Sequence, residues 1–164
     1  MDGVGERGSR SDRERTREVT APAAPPTTKP PSRVHVRWAG EQRFEAGRAN
    51  APTAVIDGHG KTGQSPPEAL LSALASCVSV DVVEILAKRR TPVESLEIDV
   101  VGERVDTTPR RYKHITLNFH IKGKGIEKEQ ALRAIELAAT KYCSVRDSLR
   151  SDISVAWTVE IGAE

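Results

Sequence analysis

Residues 65–90, SPPEALLSALASCVSVDVVEILAKRR, constrain this chain more than any other stretch. Ser65 followed by Glu68 three residues on is a capping box, and Pro66 and Pro67 fit a first turn whose N–H groups have no helical partner. Residues 69–80 carry no charge. The basic cluster Lys88, Arg89 and Arg90 suits the negative end of a helix dipole. Thr91-Pro92 then stops the helix, because proline disfavours helical backbone in the residue before it. The pattern predicts one long helix, apolar nearly all round and therefore buried. Cys77, one of two cysteines in the chain, sits at its middle.

The 164 residues make one domain, or one domain with a tail. A net charge of +2 singles out neither nucleic acid nor a membrane surface, and neither is expected as a partner. We find no uninterrupted apolar run of bilayer length and no apolar core of a secretory signal near the start, so a cytoplasmic, reducing setting is expected. Aromatic residues are only 4% of the chain. The core must be built from Val, Ile, Leu and Ala, which favours help from a partner subunit.

Residues 1–32 read as a disordered N-terminal tail, rich in Arg, Glu, Asp and Gly and then in Pro. Residues 33–164 read as the folded domain. Short strands are expected over 34–38, 42–46 and 53–57, ahead of the long helix. Two alternating segments, 95–105 and 112–122, form a hairpin, with Ile115, Leu117, Phe119 and Ile121 on one face. A second helix is expected over 127–142, a third over 144–150 capped by Ser144, and a last strand over 153–161. Strands and helices mix without a βαβ alternation, so the class is α+β.

The chemistry rests on the cysteines. Asp81 and Glu84 lie on the Cys77 face of the helix, and burial and carboxylates both raise a thiol pKa. That helix alone makes an inert thiol. A reactive Cys77 needs a cation that reaches it from another element, and without one Cys77 is a small core residue. Cys143, in KYCSVRDSL, lies between two helices with Lys141 and Arg146 near in sequence and a helix start at Ser144 beside it. His35, His59, His114 and His120 show no ligand spacing, so no metal is expected. His114 and His120 read as residues of a solvated sheet face.

The segments DGHGKTGQSPPEALLSALASCVSVDVVEIL, GERVDTTPRRYKHITLNFHIKG and KYCSVRDSL closely resemble the OsmC/Ohr family of thiol peroxidases, in the OsmC-like branch related to bacterial YhfA. The resemblance spans about residues 34–161. It implies antiparallel sheets wrapped around central helices in an intertwined homodimer, with the active sites at the subunit interface. By that similarity Cys77 is the peroxidatic cysteine, which reduces an organic hydroperoxide and becomes a sulfenic acid. Cys143 is the resolving cysteine, which condenses with it to a disulfide. The resemblance implies no bound cofactor; an external dithiol or a lipoylated protein is the reductant.

Two departures follow. The family places a Glu ten residues before the peroxidatic cysteine, and here that position is Pro67. Glu68, nine before, lies on the opposite side of the helix and serves equally as the cap. The family's activating arginine comes from the N-terminal hairpin, where Arg43 and Arg48 are the candidates and Arg37 a third. Glu103 and Arg104 recur in the resemblance without a chemical role. A non-peroxidase redox sensor or ligand-binding protein of the same fold stays open, as does a structural protein with inert cysteines.

Overall fold

The computed structural model describes residues 29–162. The expected tail, residues 1–32, lies almost wholly outside the described residues. The elements run β1 (His35–Trp38), β2 (Arg43–Gly47), β3 (Ala54–Asp57), α1 (Pro66–Lys88), β4 (Ser95–Arg104), β5 (Tyr112–Lys122), α2 (Lys128–Leu137), a π-helical turn (Ala138–Tyr142), α3 (Ser144–Asp147) and β6 (Ser154–Ile161).

Strands β1–β2–β3 form an antiparallel sheet with Trp38 opposite Phe44 and Phe44 opposite Ile56. The β1–β2 turn needs left-handed backbone at Gly40 (φ 94) and Glu41 (φ 51). Glycine adopts it without a Cβ clash. Glu41 is held there by the Trp38 indole, whose Nε1 donates to its carbonyl at 2.8 Å.

The second sheet has the order β4–β5–β6. The β4–β5 hairpin is antiparallel as expected, but β5 and β6 pair in parallel, Ile115 beside Val155 and Phe119 beside Val159. This corrects the expectation of antiparallel sheets and of no βαβ unit. A parallel pair needs a long crossover, and the segment carrying α2, the π turn and α3 supplies it. The fold is α+β, with two small sheets and helices.

Helix α1 starts on the capping box. The Glu68 carboxylate accepts from the Ser65 N–H and the Ser65 hydroxyl, each at 2.7 Å. It ends as Arg90 turns left-handed (φ 65) and the Thr91 N–H returns to the Leu86 carbonyl at 3.1 Å. Leu74, Val78, Val82 and Leu86 are fully buried, in one core with Ile115, Leu117, Phe119 and Ile121 of β5 and Ala131, Ala134 and Ile135 of α2. Each such large apolar side chain stabilises the fold by about 1.5–3 kcal/mol through burial. By length and composition α1 is apolar enough to cross a membrane, contrary to the expectation that no segment would be. Its buried stripe instead makes it the core helix of this domain.

The other side of α1 is not covered by the described residues. Val80 is 61% exposed and Leu70 38%. The first sheet is similarly bare, with Val36 57% and Trp38 64% exposed. The expected all-round burial is therefore half met by one chain.

The second helix does not run on to Tyr142. After Leu137 the backbone widens into the π turn, and the Cys143 N–H bonds the Ala138 carbonyl five residues back at 2.9 Å. The third helix is shorter than expected, and its cap is Cys143 rather than Ser144: the Cys143 sulfur accepts the Arg146 N–H at 3.3 Å. The Arg146 guanidinium donates to the Ala139 carbonyl at 3.0 Å, satisfying an acceptor that the wide turn leaves free.

Candidate active site

Two elements build the site. Helix α1 carries Cys77, half-buried, and the junction of the π turn with α3 carries Cys143, buried. The 65 residues between them fold so that the two sulfurs interact and each shifts the other's titration. Neither cysteine is in a disulfide.

The surroundings drive the thiols apart. Burial pushes Cys77 up, but the Val145 N–H, the Cys143 thiol and the hydroxyl and N–H of Ser144 all donate toward its sulfur. Together they outweigh burial and hold Cys77 below the ordinary thiol value. Burial pushes Cys143 up to about 11; the Arg146 N–H opposes this, while the hydrogen bond and charge of Cys77 add to it. Cys77 thus gives up its proton more readily than Cys143 beside it.

In place of the expected cation, hydrogen-bond donors of the backbone and hydroxyl that follow Cys143 act on Cys77. The start of α3 was expected to act on Cys143 itself. It serves both cysteines, because Cys143 caps the turn while the N–H groups of Ser144 and Val145 face Cys77. The signal was present in Cys-Ser-Val-Arg-Asp; its target was not, since sequence does not show which helix lies opposite.

The other expected residues lie elsewhere. Glu68 is bound to Ser65 in the cap, about 13 Å along the helix from Cys77. Arg43 faces Glu41 at 3.4 Å, and Arg37 pairs with Glu45 at 2.6 Å. Arg48 is exposed in the turn after β2. Among the described residues, the groups acting most strongly on Cys77 include no arginine. They include neither Asp81 nor Glu84, and Glu84 is paired with Lys88 at 3.1 Å. Lys113 pairs with Glu103 at 3.6 Å, and Arg104 stacks over the Tyr112 ring with 5.9 Å to its centroid, so both residues of the GER motif serve the hairpin.

Asp57 is a residue that sequence reasoning missed. It is buried and closes the loop ahead of α1, accepting from the N–H groups of His59 (2.9 Å), Lys61 (3.2 Å) and Thr62 (3.0 Å) and from the Thr62 hydroxyl (2.9 Å). These bonds, led by that from His59, lower its pKa to about 2. The aspartate followed by Gly-His-Gly was the available sign of such a turn.

On the outer face of the second sheet, His120 points its two ring nitrogens at different carboxylates, Asp99 and Glu160, each at 3.3 Å. His114 bonds Ser154 and Thr116. Among the described residues no group of three or more His, Cys, Asp and Glu is arranged to hold a metal ion.

The family model for OsmC-like proteins matches residues 58–158, which include both cysteines and the elements that join them. The chain belongs to the OsmC-like family. Protein YhfA of Escherichia coli K12 is 33% identical over 131 residues, covering 79% of this chain and 98% of that protein. Among solved structures, a hypothetical protein from Aquifex aeolicus is 26% identical, with a TM-score of 0.69 over 82% of this chain and all of that one. The OsmC-like protein from Mycoplasma pneumoniae has a TM-score of 0.67 at 18% identity, covering 79% and 95%. The organic hydroperoxide resistance protein OhrB of Bacillus subtilis has a TM-score of 0.53 at 16% identity, covering 78% and 96%. These last two likenesses concern the fold.

Proposed function

We propose that this OsmC-like protein reduces organic hydroperoxides through Cys77 and Cys143. The observation that carries the reading is the interacting cysteine pair, with Cys77 shifted down, against burial, by the donors of Val145, Cys143 and Ser144, and Cys143 pushed up by burial beside it. The Cys77 thiolate attacks the terminal oxygen of the O–O bond. The alkoxide leaves, takes a proton and departs as an alcohol, and Cys77 becomes a sulfenic acid. The Cys143 sulfur then attacks the Cys77 sulfur, expelling water and forming the disulfide. An external dithiol or a lipoylated protein restores both thiols, and no bound cofactor takes part.

A homodimer completes the domain in this reading. The bare side of α1, with Val80, and the bare β1–β3 sheet, with Trp38, call for a partner surface. Such a partner is the route by which Arg43 or Arg48 reaches a neighbouring site. Glu68 supports the site only by fixing the start of α1. A cytoplasmic location suits a cycle that depends on a thiol reductant.

Redox sensing without turnover is the second reading. It is favoured by one observation: among the described residues, the groups acting most strongly on Cys77 are hydrogen-bond donors and include no arginine. Consumption of cumene hydroperoxide with dithiothreitol tests the choice. The peroxidase reading expects turnover by the wild type and none by Cys77→Ser. Background consumption by both, with a Cys77–Cys143 disulfide still formed, selects sensing.

A further inference from the structure

A cavity of about 510 Å³ opens beside the π turn and α3. Its lining includes Cys143 but not Cys77. Lys141, Arg146 and Arg150 line it against one acid, Asp147, and Arg150 is further paired with Asp152 at 3.0 Å. The cavity therefore reaches Cys143, itself only 4% exposed, and not Cys77, through a surface with an excess of positive charge.

We infer that this cavity is the port through which a small acidic thiol reaches the Cys143 sulfur of the Cys77–Cys143 disulfide. The inference rests on the cysteine-pair reading above and names the point at which the reductant enters it. The incoming thiolate attacks the Cys143 sulfur. A bond forms between the two, the Cys77–Cys143 bond breaks, and the electron pair leaves on Cys77. A second thiol of the reductant then displaces the Cys143 sulfur, which takes a proton, and the reductant departs as its own disulfide. The protein gains two electrons in all.

The chemistry agrees with the access. In thiol–disulfide exchange the better-stabilised thiolate leaves faster. Cys77 is the sulfur faced by the donors of Ser144 and Val145. Attack at Cys143 thus expels the better leaving group. The cavity's cations favour a reductant that carries a carboxylate. Lys141 is exposed at the cavity, and its ammonium lies 5.5 Å from the Tyr142 ring centroid.

The test starts from full-length protein oxidised with diamide, so that it does not depend on peroxidase turnover. The oxidised protein is mixed with glutathione, quenched in acid, capped with N-ethylmaleimide and mapped by peptide mass spectrometry. The expected result is glutathione on Cys143 and maleimide on Cys77. Glutathione on Cys77, or divided evenly, overturns the inference. Failure of diamide to join the cysteines overturns both the inference and the cysteine-pair reading. Lys141→Glu should slow reduction by glutathione about fivefold at low salt while leaving reduction by neutral dithiothreitol unchanged. An equal effect on both reductants, or none on either, removes the acidic-thiol part of the claim.

Discussion

Cys77 and Cys143 act on one another and their thiols are driven apart: against burial, the Val145, Cys143 and Ser144 donors hold Cys77 down, while burial, with Cys77 beside it, pushes Cys143 up to about 11. The relationship gives each sulfur a separate chemical task. It also predicts their separate behaviour toward an alkylating agent. Iodoacetamide should label Cys77 with a pH midpoint shifted down from that of an ordinary thiol. Cys143 should stay unlabelled until the pH nears 11. Peptide-resolved labelling rates across pH check both, and a common midpoint for the two would contradict the assignment.

The donors of Ser144 can be removed with little change of fold. Ser144 is the first residue of α3, where proline is tolerated, and Cys143 before it is already extended at φ −72 and ψ 97. Ser144→Pro takes away the N–H and the hydroxyl that face Cys77. A hydrogen bond to a charged group contributes about 1.5–3 kcal/mol when buried. Solvent at the half-buried Cys77 reduces that value. The rate of Cys77 labelling at neutral pH should fall severalfold, with the circular dichroism spectrum unchanged. An unaltered rate would show that these donors do not set the thiolate.

Asp57 ties the approach to α1 to pH. Its folded pKa of about 2 lies below the unfolded value of about 3.9. A depressed carboxylate adds stability that is complete above the unfolded pKa and is lost as pH falls through the folded one. The melting temperature of the wild type should exceed that of Asp57→Asn by a constant margin above about pH 5, and the margin should close toward pH 2. Thermal melts across this range decide it; a margin that does not change with pH would remove the charge from the account.

The bare side of α1 predicts an oligomer. The 17.9 kDa chain should run as a dimer in light scattering. Val80→Glu, placed where the exposed side of α1 is apolar, should shift it toward monomer. A wild-type protein that stays monomeric at high concentration would leave Val80 and Trp38 without the partner proposed for them.

Much of this architecture was legible because it rests on local chemistry. Ser65 and Glu68 mark the start of α1, and the alternation of Ile115, Leu117, Phe119 and Ile121 marks β5 along its whole length. The parallel pairing of β6 was hidden, since register between distant strands is fixed by the packing of the crossover and not by either strand. The π turn was hidden too: one extra residue in a helical turn leaves no periodic mark over five residues. The pairing of the cysteines, with Cys77 first, came only through the family resemblance, and nothing in the residues alone carried it. The polarity of the pair could not be read from them, because the charges on α1 argued against a Cys77 thiolate and the opposing donors belong to a segment 66 residues away.

Hydroperoxide chemistry at Cys77 is the centre of the account, and one equivalent of t-butyl hydroperoxide tests it most directly. The reduced wild-type protein should release one equivalent of t-butanol and lose both free thiols to a Cys77–Cys143 disulfide. Cys143→Ser should release the alcohol and trap Cys77 as a sulfenic acid, detectable with dimedone. Intact peroxide with both wild-type thiols still open to alkylation would contradict the account.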